Sequence, residues 1–188
     1  MKEKLLLVGA GGFGRIVMEQ AVKQYDCYFV DDCYPQKQEV CGVPLVGKIA
    51  DLPKLFAYYK QLIVVIGNPQ LREKIYQQAN AIGYSFPNII ANSAYISPFA
   101  TIGNGCVILH NAVVQNEAVL GNGVLLNPGV EIHHNCAIGD NTLVYSNSVI
   151  RTYARVGKRV QIGSTVSVCV NATVHDDEII PDGTVRKP

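Results

Sequence analysis

Two short stretches of this sequence carry residue types that can do chemistry. The first is Gly9-x-Gly11-x-x-Gly14, with Gly12 and Phe13 inside it. Glycines at that spacing let a backbone turn tightly at Gly9, approach a phosphate closely at Gly11, and pack helix on strand at Gly14. The start of a following helix offers free N–H groups to a diphosphate. Asp31 lies 22 residues after Gly9, with Asp32 beside it, where a carboxylate can reach a ribose or a base. The second stretch is His133-His134-Asn135. An imidazole titrates at about 6.5 when unperturbed, so it can take a proton near neutral pH. Adjacent residues of a strand point to opposite sides, so only one of the two histidines faces any given partner. The six cysteines, Cys27, Cys33, Cys41, Cys106, Cys136 and Cys169, have no C-x-x-C spacing. No metal site is read among them, and a reduced, cytoplasmic chain fits best.

The elements that must hold these residues differ in the two halves. From Ile90, every sixth residue to Ile180 is Ile, Val or Leu, sixteen positions in all. The fifth position of the hexads is mostly small, as at Ala94, Ala100, Cys106 and Ala112. Six residues are about 1.67 turns of an α-helix, which would scatter these side chains around its faces. Short strands joined by turns instead bring both positions to the interior of a narrow coil. Gly103, Gly121, Gly139 and Gly157 recur at eighteen, so three hexads make one coil and the glycines stack at one corner. At about 4.8 Å between strands, a little over five coils give a prism roughly 25 Å long. No hexad is interrupted.

The first half reads as alternating strands and helices, hence βαβ units with a parallel sheet. Strands are expected over 4–10, 27–30 and 62–66, with a short one over 42–46. Helices are expected over 15–24, over 51–59 with Asp51 as the cap, and over 70–82 with Gly83 as the stop. Gly67-Asn68-Pro69 ends the third main strand. The division expected is a Rossmann-like α/β unit over residues 1–88 and a β-helix over 89–188. About 85 residues before the coil are too few for the two mononucleotide halves of a dinucleotide dehydrogenase.

Of the 188 residues, 48% are apolar and 16% are charged, and the formal net charge is +1. That composition excludes a disordered tail. No basic stripe marks a nucleic-acid binder, and no apolar run is long enough for a membrane span. No signal-peptide pattern is visible at the start.

The residues Val8-Gly9-Ala10-Gly11-Gly12-Phe13-Gly14-Arg15, Val30-Asp31-Asp32, Val65-Ile66-Gly67-Asn68 and Ile132-His133-His134-Asn135-Cys136-Ala137-Ile138-Gly139 carry a resemblance. Joined to the hexads, they make the chain similar to the hexapeptide-repeat acyltransferases, in particular the nucleotide-sugar N-acetyltransferases and the sialic-acid O-acetyltransferase-like proteins. The resemblance implies a left-handed β-helix, a homotrimer, and acetyl-CoA as co-substrate without a metal. It implies a front domain that holds a UDP-linked amino sugar through Gly9, Gly11, Gly12, Phe13, Asp31, Asp32, Gly67 and Asn68. It places the general base on His134, with His133 as the alternative and Asn135 as its orienting neighbour. It places the CoA groove near Arg151, Thr152 and Lys158.

Three features depart from the pattern of these families. Asn135 stands where a carboxylate often follows the histidine. Phe13 stands where the front loop often carries a histidine. Ile150-Arg151-Thr152-Tyr153 replaces a small-Gly pair, so bulk there narrows the groove or Arg151 meets a CoA phosphate. The chain also stops at Pro188, just past the last hexad, where relatives often continue into a short tail. Three readings follow: transfer of acetyl to a sugar amine, transfer to a sugar hydroxyl, or a non-catalytic partner that kept the fold.

Overall fold

A computed structural model describes residues 2–33 and 38–188. The chain divides into two compact units, Met1–Asn88 and Ile89–Pro188.

In the first unit the described strands are β1 (Glu3–Val8), β2 (Tyr25–Val30), β3 (Glu39–Val40), β4 (Val43–Gly47) and β5 (Gln61–Val64). The helices are α1 (Gly12–Ala21), α2 (Leu52–Leu55) and α3 (Pro69–Ile82). The sheet order is β3-β4-β2-β1-β5. β4, β2, β1 and β5 run parallel, and β3 adds an antiparallel edge that sequence patterning did not separate from β4. Leu5, Leu6, Leu7 and Val8 of β1 are buried, as a strand covered on both faces requires. From β1 the chain crosses to β2 on one side, and β5 lies on the other. The order therefore reverses beside β1, and the crevice at the carboxyl ends of β1 and β5 is where open α/β sheets take ligands.

The helix expected over 51–59 is much shorter. A 3-10 turn over Ile49–Asp51 leads into the single turn of α2. Asp51 does not cap α2. Its Oδ2 instead accepts the backbone N–H of Lys48 at 3.0 Å and closes the preceding turn. α3 follows expectation, with Asn68 as its N-cap and Gly83 left-handed at φ 108 as its stop.

The second unit is a left-handed parallel β-helix with two-residue strands from Ile89–Ile90 to Val185–Arg186. They stack into three sheets of six, five and six strands. Each strand pairs with the one eighteen residues on, for example Val113 with Glu131 and Val119 with Ala137. The aliphatic first positions and small fifth positions form one buried column. Each fully buried Val, Leu or Ile contributes about 1.5–3 kcal/mol. The strands outnumber the sixteen aliphatic positions, because Arg186 takes the place of an aliphatic residue above Val168. Its guanidinium donates to the carbonyl of Thr173 and to Glu178, a polar finish to the column.

Two distinct demands shape the corners. From Gly105 to Gly183, the fourth residue of every hexad has positive φ, and Gly and Asn hold most of these places. Such residues enter the left-handed region at least cost. The glycines Gly103, Gly121, Gly139 and Gly157 are not in that region. They are required by the approach of successive coils: a Cβ on Gly139 would lie 2.6 Å from the carbonyl oxygen of Gly157. Gly139→Ala is therefore expected to destabilise the unit by about 1–3 kcal/mol in urea unfolding, as overpacking does.

Candidate active site

In the first unit, a cavity of about 460 Å³ opens at the carboxyl ends of β1 and β5. Gly9, Gly11, Gly12, Phe13, Asp31, Asp32 and Gly67 all line it. Gly9 has φ 113 and could carry a Cβ only at 2.9 Å from Ile66 Cγ1. Gly14 packs so closely on the Gly9 carbonyl that no side chain fits. Gly11 and Gly12 differ from both: a Cβ there would meet nothing within 4 Å. Their smallness therefore keeps free space in the cavity, beside the first turn of α1 and its unbonded N–H groups.

The two carboxylates organise this loop. Asp31 Oδ2 accepts the N–H of Ala10 at 2.6 Å, and its Oδ1 accepts the N–H of Cys33 at 2.7 Å. Asp32 Oδ1 accepts the N–H of Ile49 at 2.9 Å. Asn68 does not line the cavity. Its Oδ1 caps α3 by accepting from Leu71 N at 2.8 Å, which fixes the turn that carries Gly67. Sequence reasoning missed Arg72, which is fully buried and donates from Nη1 to the Ile66 carbonyl at 2.7 Å. In a trans peptide the N–H points away from the C=O. Holding the Ile66 carbonyl inward thus turns the Gly67 N–H outward from the guanidinium. An arginine three residues after a Pro-begun helix is too common a pattern to have signalled this.

In the second unit, His134 is exposed on one corner of the coil. Its Nδ1 lies 2.8 Å from Asn135 Oδ1. Asn135 Nδ2 donates in turn to Glu117 Oε2, one coil below. On the other side of the ring, Thr152 Oγ1 lies 3.3 Å from Nε2. Tyr153 meets the ring edge-on, with centroids 6.0 Å apart. Gln115 Oε1 accepts the His134 backbone N–H at 3.1 Å, and Arg155 Nη1 donates to the Asn135 carbonyl at 2.6 Å. His133 turns elsewhere, with Nε2 3.5 Å from Glu131 Oε2. An amide oxygen only accepts, so a neutral His134 ring that meets Asn135 Oδ1 has its proton on Nδ1 and turns the Nε2 lone pair toward the Thr152 hydroxyl.

Thr152, expected near CoA, thus touches the histidine itself. Arg151 stands on the same corner, whereas Lys158 stands on the next one, where its Nζ pairs with Asp140 at 3.2 Å. The structure brings Arg151 and Thr152 together and leaves Lys158 apart from them within one chain. Glu117, Gln115 and Arg155 were missed by sequence reasoning. The signal for Glu117 was present: it precedes Asn135 by the eighteen residues of the glycine period.

The cysteine that follows Asn135 is no nucleophile for this corner. Cys136 follows Asn135 but is buried, and burial raises its pKa while its Sγ donates to the Arg151 carbonyl at 3.0 Å. Burial pushes Cys106 up to about 11. Among the described residues no cluster of His, Cys, Asp and Glu could hold a metal ion, and no helix is long and apolar enough to cross a membrane.

The profile of the PglD N-terminal domain matches residues 4–79, and that of the bacterial transferase hexapeptide (six repeats) matches residues 117–152. The acetyltransferase domain of PglB from Neisseria gonorrhoeae FA1090, solved in complex with acetyl coenzyme A, is 30% identical over 100% of both chains, with a TM-score of 0.89. This chain belongs to the hexapeptide-repeat sugar acetyltransferases of the PglD and PglB type. Another member, PerB from Caulobacter crescentus in complex with CoA and GDP-perosamine, is 27% identical over 98% of this chain and 88% of its own, with a TM-score of 0.91. WeeI from Acinetobacter baumannii AYE, at 19% identity and a TM-score of 0.55, shares the fold.

Gly11→Val tests the cavity apart from the fold. Its side chain meets open space, so urea stability is expected to change by less than about 0.5 kcal/mol, as for a surface change. Affinity for a nucleoside diphosphate, measured by calorimetry, is expected to fall at least about tenfold because the branched side chain fills the approach to the α1 amides.

Proposed function

We propose that this protein transfers the acetyl group of acetyl-CoA to the amino group of a nucleoside-diphosphate-linked amino sugar, with His134 as general base. The single observation that carries this reading is the bonding of the His134 ring. With Nδ1–H donated to Asn135, Nε2 keeps its lone pair, which faces the Thr152 hydroxyl on an exposed residue of the coil.

The chemistry needs that atom. The sugar amine attacks the thioester carbonyl, its N–C bond forms, and the C–S bond breaks. The amine proton passes to Nε2 and from there to the departing CoA sulfur. Imidazole suits both transfers because its protonated and neutral forms are close in energy near neutral pH. Thr152 Oγ1 holds the ring from its free edge until an amine replaces that contact. Arg151, on the same corner, is the cation for a CoA phosphate in this reading. The cavity of the first unit takes the nucleotide: the α1 amides meet the diphosphate, and Gly11 and Gly12 leave it room. The PglB domain with acetyl coenzyme A and PerB with GDP-perosamine support the two co-substrates. We place the base as uracil, with guanine as the competing choice because of PerB. We also propose a cytoplasmic homotrimer, as the resemblance implies.

The test is release of free CoA in the presence of acetyl-CoA and a panel of UDP- and GDP-linked amino sugars, beside matching sugars that carry only hydroxyl groups. Turnover on an amino sugar is expected, and product analysis should show an amide. His134→Ala is expected to lower kcat by about 10²–10⁴-fold, the range for a positioned base, with binding of both substrates kept. Turnover confined to hydroxyl acceptors, or unchanged by His134→Ala, would overturn the reading.

A further inference from the structure

Glu117 sits where its backbone does not favour it. The fourth place of its hexad forces φ to 55, a region that costs a residue with a Cβ and that Gly or Asn fills in most other hexads. A glutamate there reaches one partner, the Nδ2 of Asn135. Asn135 occupies the same place one coil on, with φ 60, and Tyr153 the next, with φ 62. The three stack because strands pair at eighteen residues.

The Asn135 amide has a donor end and an acceptor end, and it can rotate to exchange them. A carboxylate can only accept. Glu117 therefore takes the Nδ2 end, and Oδ1 is left to face His134 Nδ1 at 2.8 Å. An acceptor at Nδ1 keeps the ring proton there, which leaves Nε2 as the base. If the amide turned over, Nδ2 would face Nδ1, the ring proton would move to Nε2, and the base would be blocked. Arg155 holds the Asn135 carbonyl and not its side chain, so it does not decide the question. The carboxylate also polarises the amide, which makes Oδ1 a better partner for the imidazolium formed during transfer.

We propose that Glu117 is the positioning residue that sets the tautomer of His134, acting through the side-chain amide of Asn135. This rests on His134 being the general base proposed above. It also accounts for an amide standing at position 135: the carboxylate is present, one coil away, and the amide carries its orienting effect to the ring.

The test reads the tautomer directly. The full-length protein is labelled with [15N]histidine and observed by long-range 1H–15N correlation at pH about 8.5, where an ordinary imidazole is neutral. There are four histidines, and His134→Ala identifies the signal of interest. The disrupting variant is Glu117→Gly, because glycine accepts the positive φ and the corner keeps its shape. The wild type is expected to show Nδ1–H at His134. Glu117→Gly is expected to shift the signal to Nε2–H or to a mixture, and to lower kcat by about 10- to 100-fold with KM for acetyl-CoA little changed. The double variant Glu117→Gly, Asn135→Asp puts an acceptor-only group directly on Nδ1. It is expected to restore both the Nδ1–H signature and turnover, which a merely structural role for Glu117 would not allow. An unchanged Nδ1–H signal in Glu117→Gly, or no recovery in the double variant, overturns the proposal. The tautomer is read without substrate, so a tautomer that responds as expected in a protein whose turnover survives His134→Ala would sink the role of His134 as base and leave the link from Glu117 to the ring standing.

Discussion

The pairing of each two-residue strand with the one eighteen residues on is the constraint from which the rest of the coil follows. It makes side chains eighteen apart into neighbours about 4.8 Å away. The buried aliphatic column, the glycines that let coils approach, and the network around His134 are all consequences of it. So is the choice of residues at the left-handed corners. A repeat of this kind gains stability from contacts between adjacent coils, so a residue on one coil is held by those above and below it. His134 shows this at the level of single atoms. Its backbone is tied to Gln115 below, its Nδ1 is reached indirectly from Glu117 below, and its Nε2 meets Thr152 above.

A different device organises the first unit. Its ligand cavity depends on three peptide groups being fixed in unusual directions. Gly9 turns through positive φ, Ala10 gives its N–H to Asp31, and the Ile66 carbonyl is drawn to the buried Arg72. A buried guanidinium is costly unless its donors are satisfied, and the carbonyl of this turn satisfies one of them. The free volume beside Gly11 and Gly12 is the counterpart of these restraints. Space that none of the described residues fills beside Gly11 and Gly12, next to the first-turn amides of α1, suits an anionic ligand.

Much of this was legible in the sequence because periodicity is a strong signal. The hexads define the strands to within a residue, and the glycine period gives the coil count and hence the register. The front loop was legible because glycine at fixed spacing has few other uses. Short-range choices were not legible. Asp51 looked like a helix cap, but whether a carboxylate caps forward or closes the turn behind it depends on the φ, ψ of two or three residues. Asp31 and Asp32 line the cavity, and nothing in their spacing announced that they also accept the backbone N–H groups of Ala10, Cys33 and Ile49. Thr152 was assigned to the cofactor because it stands in the segment where relatives carry a small-Gly pair, and its contact with the ring of His134 is a neighbour in space that the segment does not announce. Arg186 hid the last strand because a period of aliphatic residues cannot count a strand that ends the core with a charge.

The amide at position 135 brings both kinds of information together. Read along the chain, Asn135 is a weak substitute for a carboxylate beside a histidine. Read along the corner, it meets two demands at once. Its backbone must be left-handed, where Asn is tolerated far better than most residues. Its side chain must present an oxygen to the ring, and a lone amide cannot guarantee which end it presents. Glu117 removes that ambiguity by accepting only, at the cost of a glutamate in a conformation it does not favour. A residue in an unfavoured conformation whose side chain, among the described residues, hydrogen-bonds to the neighbour of a candidate base is difficult to explain by packing. It is explained if the identity of the protonated ring nitrogen is what the corner is built to control.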